Sequence, residues 1–112
     1  MQQIKRQRLA SLLSELEALL RKENLWQSTR PSEQALASEM PFAIDTLQFP
    51  QWLQFIFIEK MTQILQLNLT LPNEMSVAPM ASEYFKTASH SNLEIVALIT
   101  RIDLLMNEKN RC

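Results

Sequence analysis

Few side chains in this sequence can do chemistry. The one histidine, His90, sits between Ser89 and Ser91, and the one cysteine, Cys112, stands last. Metal centres draw on clustered His, Cys, Asp or Glu at definite spacing, and this pair cannot assemble a zinc or iron site. No metal and no cofactor is therefore expected. His90 reads most simply as a surface residue at a helix start. Cys112 has no partner for a disulfide and lies where a chain frays, which is a poor setting for a nucleophile. Five carboxylates, Asp45, Glu59, Glu74, Glu83 and Asp103, could in principle meet as an acid and base pair. Such a pair would have to lie within about 10 Å in a cleft, and nothing in their spacing brings them together. The sequence also contains no glycine at all, which removes every glycine-dependent phosphate loop and nucleotide fingerprint. The sequence thus gives an enzyme reading no positive support, and an enzyme is not expected.

Binding is the remaining chemistry, and two groups of residues could supply it. Drawn on a helical wheel, the stretch 50–67 puts Leu53, Ile56, Phe57, Ile58, Met61, Ile64, Leu65 and Leu67 on one wide apolar arc, with Gln51, Gln54, Glu59, Thr62, Gln63 and Gln66 opposite. Trp52 and Phe55 fall on the polar side with Glu59, at spacing i, i+3, i+7. Either the irregular segments carrying Trp26 and Phe42 fold over these two rings and bury the helix on all sides, or one or both rings stay partly exposed as partner anchors. On the second reading the binding surface comprises Trp52, Phe55, Phe42, Asp45 and Glu83. An apolar patch of that kind would serve a homodimer as well as a foreign protein. The second group is basic: Lys5, Arg6 and Arg8 could touch nucleic acid, although Glu15, Glu17 and Glu23 are interleaved in the same segment. With 11 Lys and Arg against 12 Asp and Glu, a net charge of -1 provides no general attraction for phosphate.

The elements that must position these residues are helical. Leu9, Leu12, Leu13, Leu16 and Leu20 form a narrow stripe in a helix over 2–23. A loop follows to Pro31, then a short helix over 32–37. The next long helix starts either at Asp45, with Gln48 completing a capping box, or at Pro50 in the first helical position, and runs to about Leu67. A further short helix opens at Pro79. Ser91 and Glu94 form a second capping-box pattern ahead of the stripe Ile95, Leu98, Ile99, Ile102, Leu105 and Met106. These elements imply an all-α domain spanning 1–112, an antiparallel four-helix bundle with one or two short helices. With 46% hydrophobic and 21% charged residues the composition is ordinary for a folded globular chain. No stretch approaches the roughly 18 to 20 apolar residues of a membrane span, and the N-terminus lacks a signal-peptide core. The expected setting is the cytoplasm.

With these segments in view, the sequence resembles the YqcC-like family of small bacterial proteins. The resemblance is carried by Leu16-Glu17-Ala18-Leu19-Leu20-Arg21 with Trp26, by Pro41-Phe42 with Asp45-Thr46-Leu47, and by Trp52-Leu53-Gln54. Met61, Leu71-Pro72 and Val77-Ala78-Pro79 with Glu83 continue it. It implies an antiparallel four-helix bundle and offers no catalytic residues to transfer. It also implies an accessory role in tRNA modification beside a tRNA pseudouridine synthase, because family members look linked to one by gene neighbourhood. Glu59-Lys60 stand where the family would have proline then arginine before Met61, which should leave the helix straighter there.

Overall fold

The computed structural model describes residues 2–86 and 93–108. His90, Ser91 of the second capping pattern and Cys112 lie outside the described residues. Helix α1 (Gln2–Lys22) is followed by a single turn, α2 (Glu33–Leu36), capped by the Ser32 hydroxyl, which accepts from the Ala35 N–H. A 3-10 turn at Pro41–Ala43 leads into α3, a continuous helix over 49–66. Helices α4 (Ala78–Lys86) and α5 (Leu93–Asn107) follow, and no strand occurs among the described residues.

The core follows from the two clean stripes. Leu9, Leu12, Leu13, Leu16 and Leu20 on α1 are all buried, as are Ile95, Leu98, Ile99, Ile102, Leu105 and Met106 on α5. These two faces meet, and α4 and the end of α3 close over them. The start of α1 lies beside the end of α5: the Lys5 ammonium donates to the carbonyl of Glu108 at 3.1 Å and reaches that of Met106 at 3.5 Å. The two helices are therefore antiparallel, and Lys5 neutralises carbonyls that the last turn of α5 leaves unpaired.

Without glycine, the chain ends α1 and α3 with asparagine. Asn24 and Asn68 take positive φ values of 60° and 56°. After α1, the Leu25 N–H donates to Leu20 O and the Asn24 N–H to Arg21 O. After α3, the Leu69 N–H donates to Ile64 O and the Asn68 N–H to Leu65 O. Both are Schellman closures with asparagine in the left-handed position that glycine usually fills.

Two carbonyl-bearing side chains of α5 hold the segment leading into α4. Asp103 is buried, and its carboxylate accepts from the N–H groups of Val77 and Ala78 at 2.8–3.0 Å, which caps the first turn of α4. One turn later, the Asn107 amide both accepts from Met75 N–H and donates to Met75 O. Asp103 is thus a structural carboxylate.

Candidate functional site

Helix α3 begins at Phe49, with Gln48 as its cap and Gln51 completing the capping box, and Pro50 sits in the first turn. Asp45 does not cap it. Its carboxylate instead accepts from the Ser38 hydroxyl at 2.5 Å, fastening the loop ahead of the helix. From Leu53 to Ile58 the helix is a π-helix. Its i→i+5 bonding adds a residue to the turn, so a wheel drawn at 100° per residue drifts out of register here.

The structure overturns part of the reading of this helix, and for Gln54 the wheel itself already pointed inward, at an angle between Met61 and Leu65. Gln54, assigned to the polar face, is only 6% exposed, and Phe55 beside it only 8%. Leu67, assigned to the apolar arc, is exposed, and Ile56 is half-buried. The buried Gln54 amide clamps a loop: its Oε1 accepts from Gln27 N–H at 2.9 Å, and its Nε2 donates to Gln27 O at 2.8 Å. Both polar atoms are satisfied, which burial of an amide requires. Phe55 lies under the guanidinium of Arg30, 5.7 Å from the ring centre, and Arg30 in turn pairs with Glu59 at 2.6 Å. The Glu59 hydrogen bond and charge raise the Arg30 pKa above its ordinary value. The helix continues through Glu59, where no proline interrupts it. Phe55 therefore belongs to the interior beneath the 24–30 loop and is unavailable as a protruding anchor.

Trp52 has a different setting. It is half-buried in an aromatic cluster, with ring centres 4.9 Å from Phe42, 5.8 Å from Phe49 and 5.5 Å from Phe57. Phe49 also meets Tyr84 and Phe85 of α4. Phe42 closes the outer side of this cluster, and the backbone that places it there is strained. Phe42 and Ala43 both have positive φ, 58° and 49°, although neither is glycine or asparagine. Each such residue costs about 1–3 kcal/mol. The surrounding hydrogen bonds hold the conformation: Ala43 N–H to Met40 O, Ile44 N–H to Pro41 O, and Leu47 N–H to Ala43 O. The Thr46 hydroxyl adds a bond to Ala35 O at 2.7 Å.

This strained turn pushes two large apolar side chains into solvent. Met40 is 51% exposed and Ile44 57%, flanking the half-buried Phe42. The five residues of the expected surface thus divide. Phe42, Trp52 and Asp45 share one region. Glu83 is exposed on α4, next to Tyr84, whose hydroxyl donates to Gln48 at the start of α3. Phe55 is elsewhere and covered. Met40 and Ile44 carried no periodic signal. Their only trace was two large apolar residues around Pro41 in a non-periodic segment.

The basic group is also divided. Lys5 is engaged at the end of α5, and Arg6 donates to the Leu69 carbonyl, so only Arg8 is left projecting freely. Of the carboxylates, Asp45, Glu59 and Asp103 have the partners described, and Glu74 and Glu83 are exposed. Among the described residues no three of His, Cys, Asp or Glu gather as a metal site would need. No described helix is long and apolar enough to cross a membrane.

The family model described as DUF446, tRNA pseudouridine synthase C, matches residues 8–105. The chain belongs to this YqcC-like family. It is similar to an uncharacterised protein of Haemophilus influenzae, 33% identical over 100 residues that cover 89% of this chain and 92% of that one. It is also similar to the uncharacterised protein YqcC of Escherichia coli, 32% identical over 83% of this chain and 85% of the relative. The solution NMR structure of Escherichia coli YqcC superposes with a TM-score of 0.82 at 29% identity, over 96% of this chain and 92% of that one. A tRNA pseudouridine synthase C of Pectobacterium carotovorum is 38% identical over 60 residues, which are 54% of this chain but only 16% of the relative.

Proposed function

We propose that this chain is a non-enzymatic accessory module that docks a partner protein through the turn around Phe42, and that the partner is a tRNA pseudouridine synthase. One observation carries the reading: Met40 and Ile44 are exposed on either side of Phe42 by a backbone held in an unfavourable conformation. Strain kept at a surface turn is commonly functional, and exposed apolar side chains beside an aromatic ring suit an interface core. Trp52 supports the turn from below, while Asp45 and Glu83 would contribute to its polar rim.

The choice of partner rests on the relatives. In the Pectobacterium protein named tRNA pseudouridine synthase C, a segment like this chain is covalently joined to a much larger remainder. Tethering gives two modules a high effective concentration for one another, and modules joined in one organism commonly meet as separate chains in another. The alternative, RNA contact through Lys5, Arg6 and Arg8, is weakened because two of the three cations hold backbone carbonyls.

The test is calorimetric titration of the purified chain with the pseudouridine synthase from the same cells. Saturable binding that the Met40→Ser, Ile44→Ser double variant loses is the expected result. A wild-type chain that releases no binding heat, and leaves the rate of pseudouridine formation on tRNA unchanged, would defeat the proposal.

A further inference from the structure

A second face, away from the Phe42 turn, carries its own signal. Between α1 and α5 runs a surface groove of about 640 Å³, floored by Leu12 and Leu105. Ile4 on one wall is 57% exposed and Leu104 on the other 66%. The exposed stripe continues along α5 through Ala97 to Leu93, at helical spacing from Leu104.

Four charges frame the groove: Arg8 and Glu15 on α1, Arg101 and Glu108 on α5. Each helix carries one cation and one anion seven residues apart. The ion pairs among the described residues are Arg21 with Glu17 and Arg30 with Glu59, so none of these four is neutralised within the described chain. Because α1 and α5 are antiparallel, Arg8 and Glu108 stand at one end of the groove, and Glu15 and Arg101 at the other. Each end therefore holds one charge of each sign, on opposite helices, and like charges lie on the diagonals.

That arrangement is complementary to its own image. A half-turn about an axis along the groove lays Arg8 over the second copy's Glu108 and Arg101 over its Glu15. A half-turn about the axis across the groove lays Arg8 over Glu15 and Arg101 over Glu108. Either twofold pairs every cation with an anion and brings the exposed apolar walls together, as an isologous interface demands. We infer that this face binds a second copy of the same chain, forming a twofold homodimer of α1 and α5. The proposal is independent of the Phe42 turn. A face about 22 Å long and roughly 20 Å wide, from helical rise and diameter, amounts to about 900 Å² over the two copies, in the range of weak, transient interfaces. The dimer is accordingly reversible and sensitive to salt.

Sedimentation equilibrium of the full chain across a concentration series tests this. The expected result is a monomer–dimer equilibrium that weakens with added salt, and that Leu104→Glu abolishes while circular dichroism stays helical. Arg101→Glu should weaken association about tenfold or more, and a compensating swap should restore it. Restoration by Glu15→Arg identifies the axis along the groove; restoration by Glu108→Arg identifies the axis across it. A chain that stays monomeric to millimolar concentration overturns the inference. So does a dimer that survives both Leu104→Glu and Arg101→Glu, or a loss that neither swap repairs.

Discussion

The seam between α1 and α5 and the region where the 40–48 turn meets α3 are built on different terms. In the seam every turn is regular, and every stripe residue is buried where a period of 3.6 puts it. Around α3 the backbone departs from regularity twice, through the π-helix at Leu53–Ile58 and through the left-handed Phe42 and Ala43. The seam uses its regularity for stability. The turn region holds its shape through side-chain clamps such as Gln54 on Gln27, and displays Met40 and Ile44 as a consequence. Both regions expose apolar side chains, Ile4 and Leu104 beside the seam and Met40 and Ile44 on the turn, but the turn alone combines them with left-handed Phe42 and Ala43.

Substitutions can break this contrast, and the largest effect belongs to the seam. Ile102→Ala, at a position with no exposure, should lower unfolding free energy by about 4 kcal/mol through lost burial and the cavity left behind, measured by urea denaturation. Asp103→Ala should cost about 2–3 kcal/mol, because the buried Val77 N–H and its neighbour at Ala78 lose their acceptor. Asp103→Asn should cost less, since an amide oxygen can still accept, and the two variants together distinguish capping from packing. Gln54→Ala should cost about 1–2 kcal/mol as the clamp is lost, and limited proteolysis should then cut between 24 and 30 while the seam stays protected. Ala43→Gly sharpens the comparison from the other side. Relief of the left-handed backbone is about 1–2 kcal/mol, set against greater freedom of the unfolded chain, so a small net gain in melting temperature is expected. The smallest effect should come from Met40→Ser with Ile44→Ser, within about 0.5 kcal/mol of the parent, as ordinary surface changes are.

The same contrast explains what the sequence disclosed. The leucines of α1 and the isoleucines of α5 were legible because each is an amphipathic helix whose apolar period points one way. A short helix after Pro31 and a long helix beginning beside Pro50 followed from local chemistry, although Ser32 proved to be the cap of the first and not its opening residue. Trp52 and Phe55 stayed ambiguous because a wheel shows angles and not what covers them. Gln54 stands between Met61 and Leu65 even on a uniform wheel, so its amide type and not its angle suggested a polar face, and Phe55 is covered because the 24–30 loop folds over it. No local rule announces such a cover, since it is set by the packing of distant segments. Asp103 was legible only as a carboxylate on a largely apolar helix. Its task depends on Val77 and Ala78, which reach it through the tertiary fold. The exposure of Met40 and Ile44 was equally hidden, because positive φ at Phe42 and Ala43 is enforced by the surroundings and not by residue type.

Hydrogen–deuterium exchange of the chain, alone and with saturating pseudouridine synthase, tests the docking turn most directly. New protection concentrated in amides 40–47, with little change along α1 and α5, is the predicted result. Protection confined to α1 and α5, with 40–47 exchanging as before, would contradict the account and move the partner site to the other face.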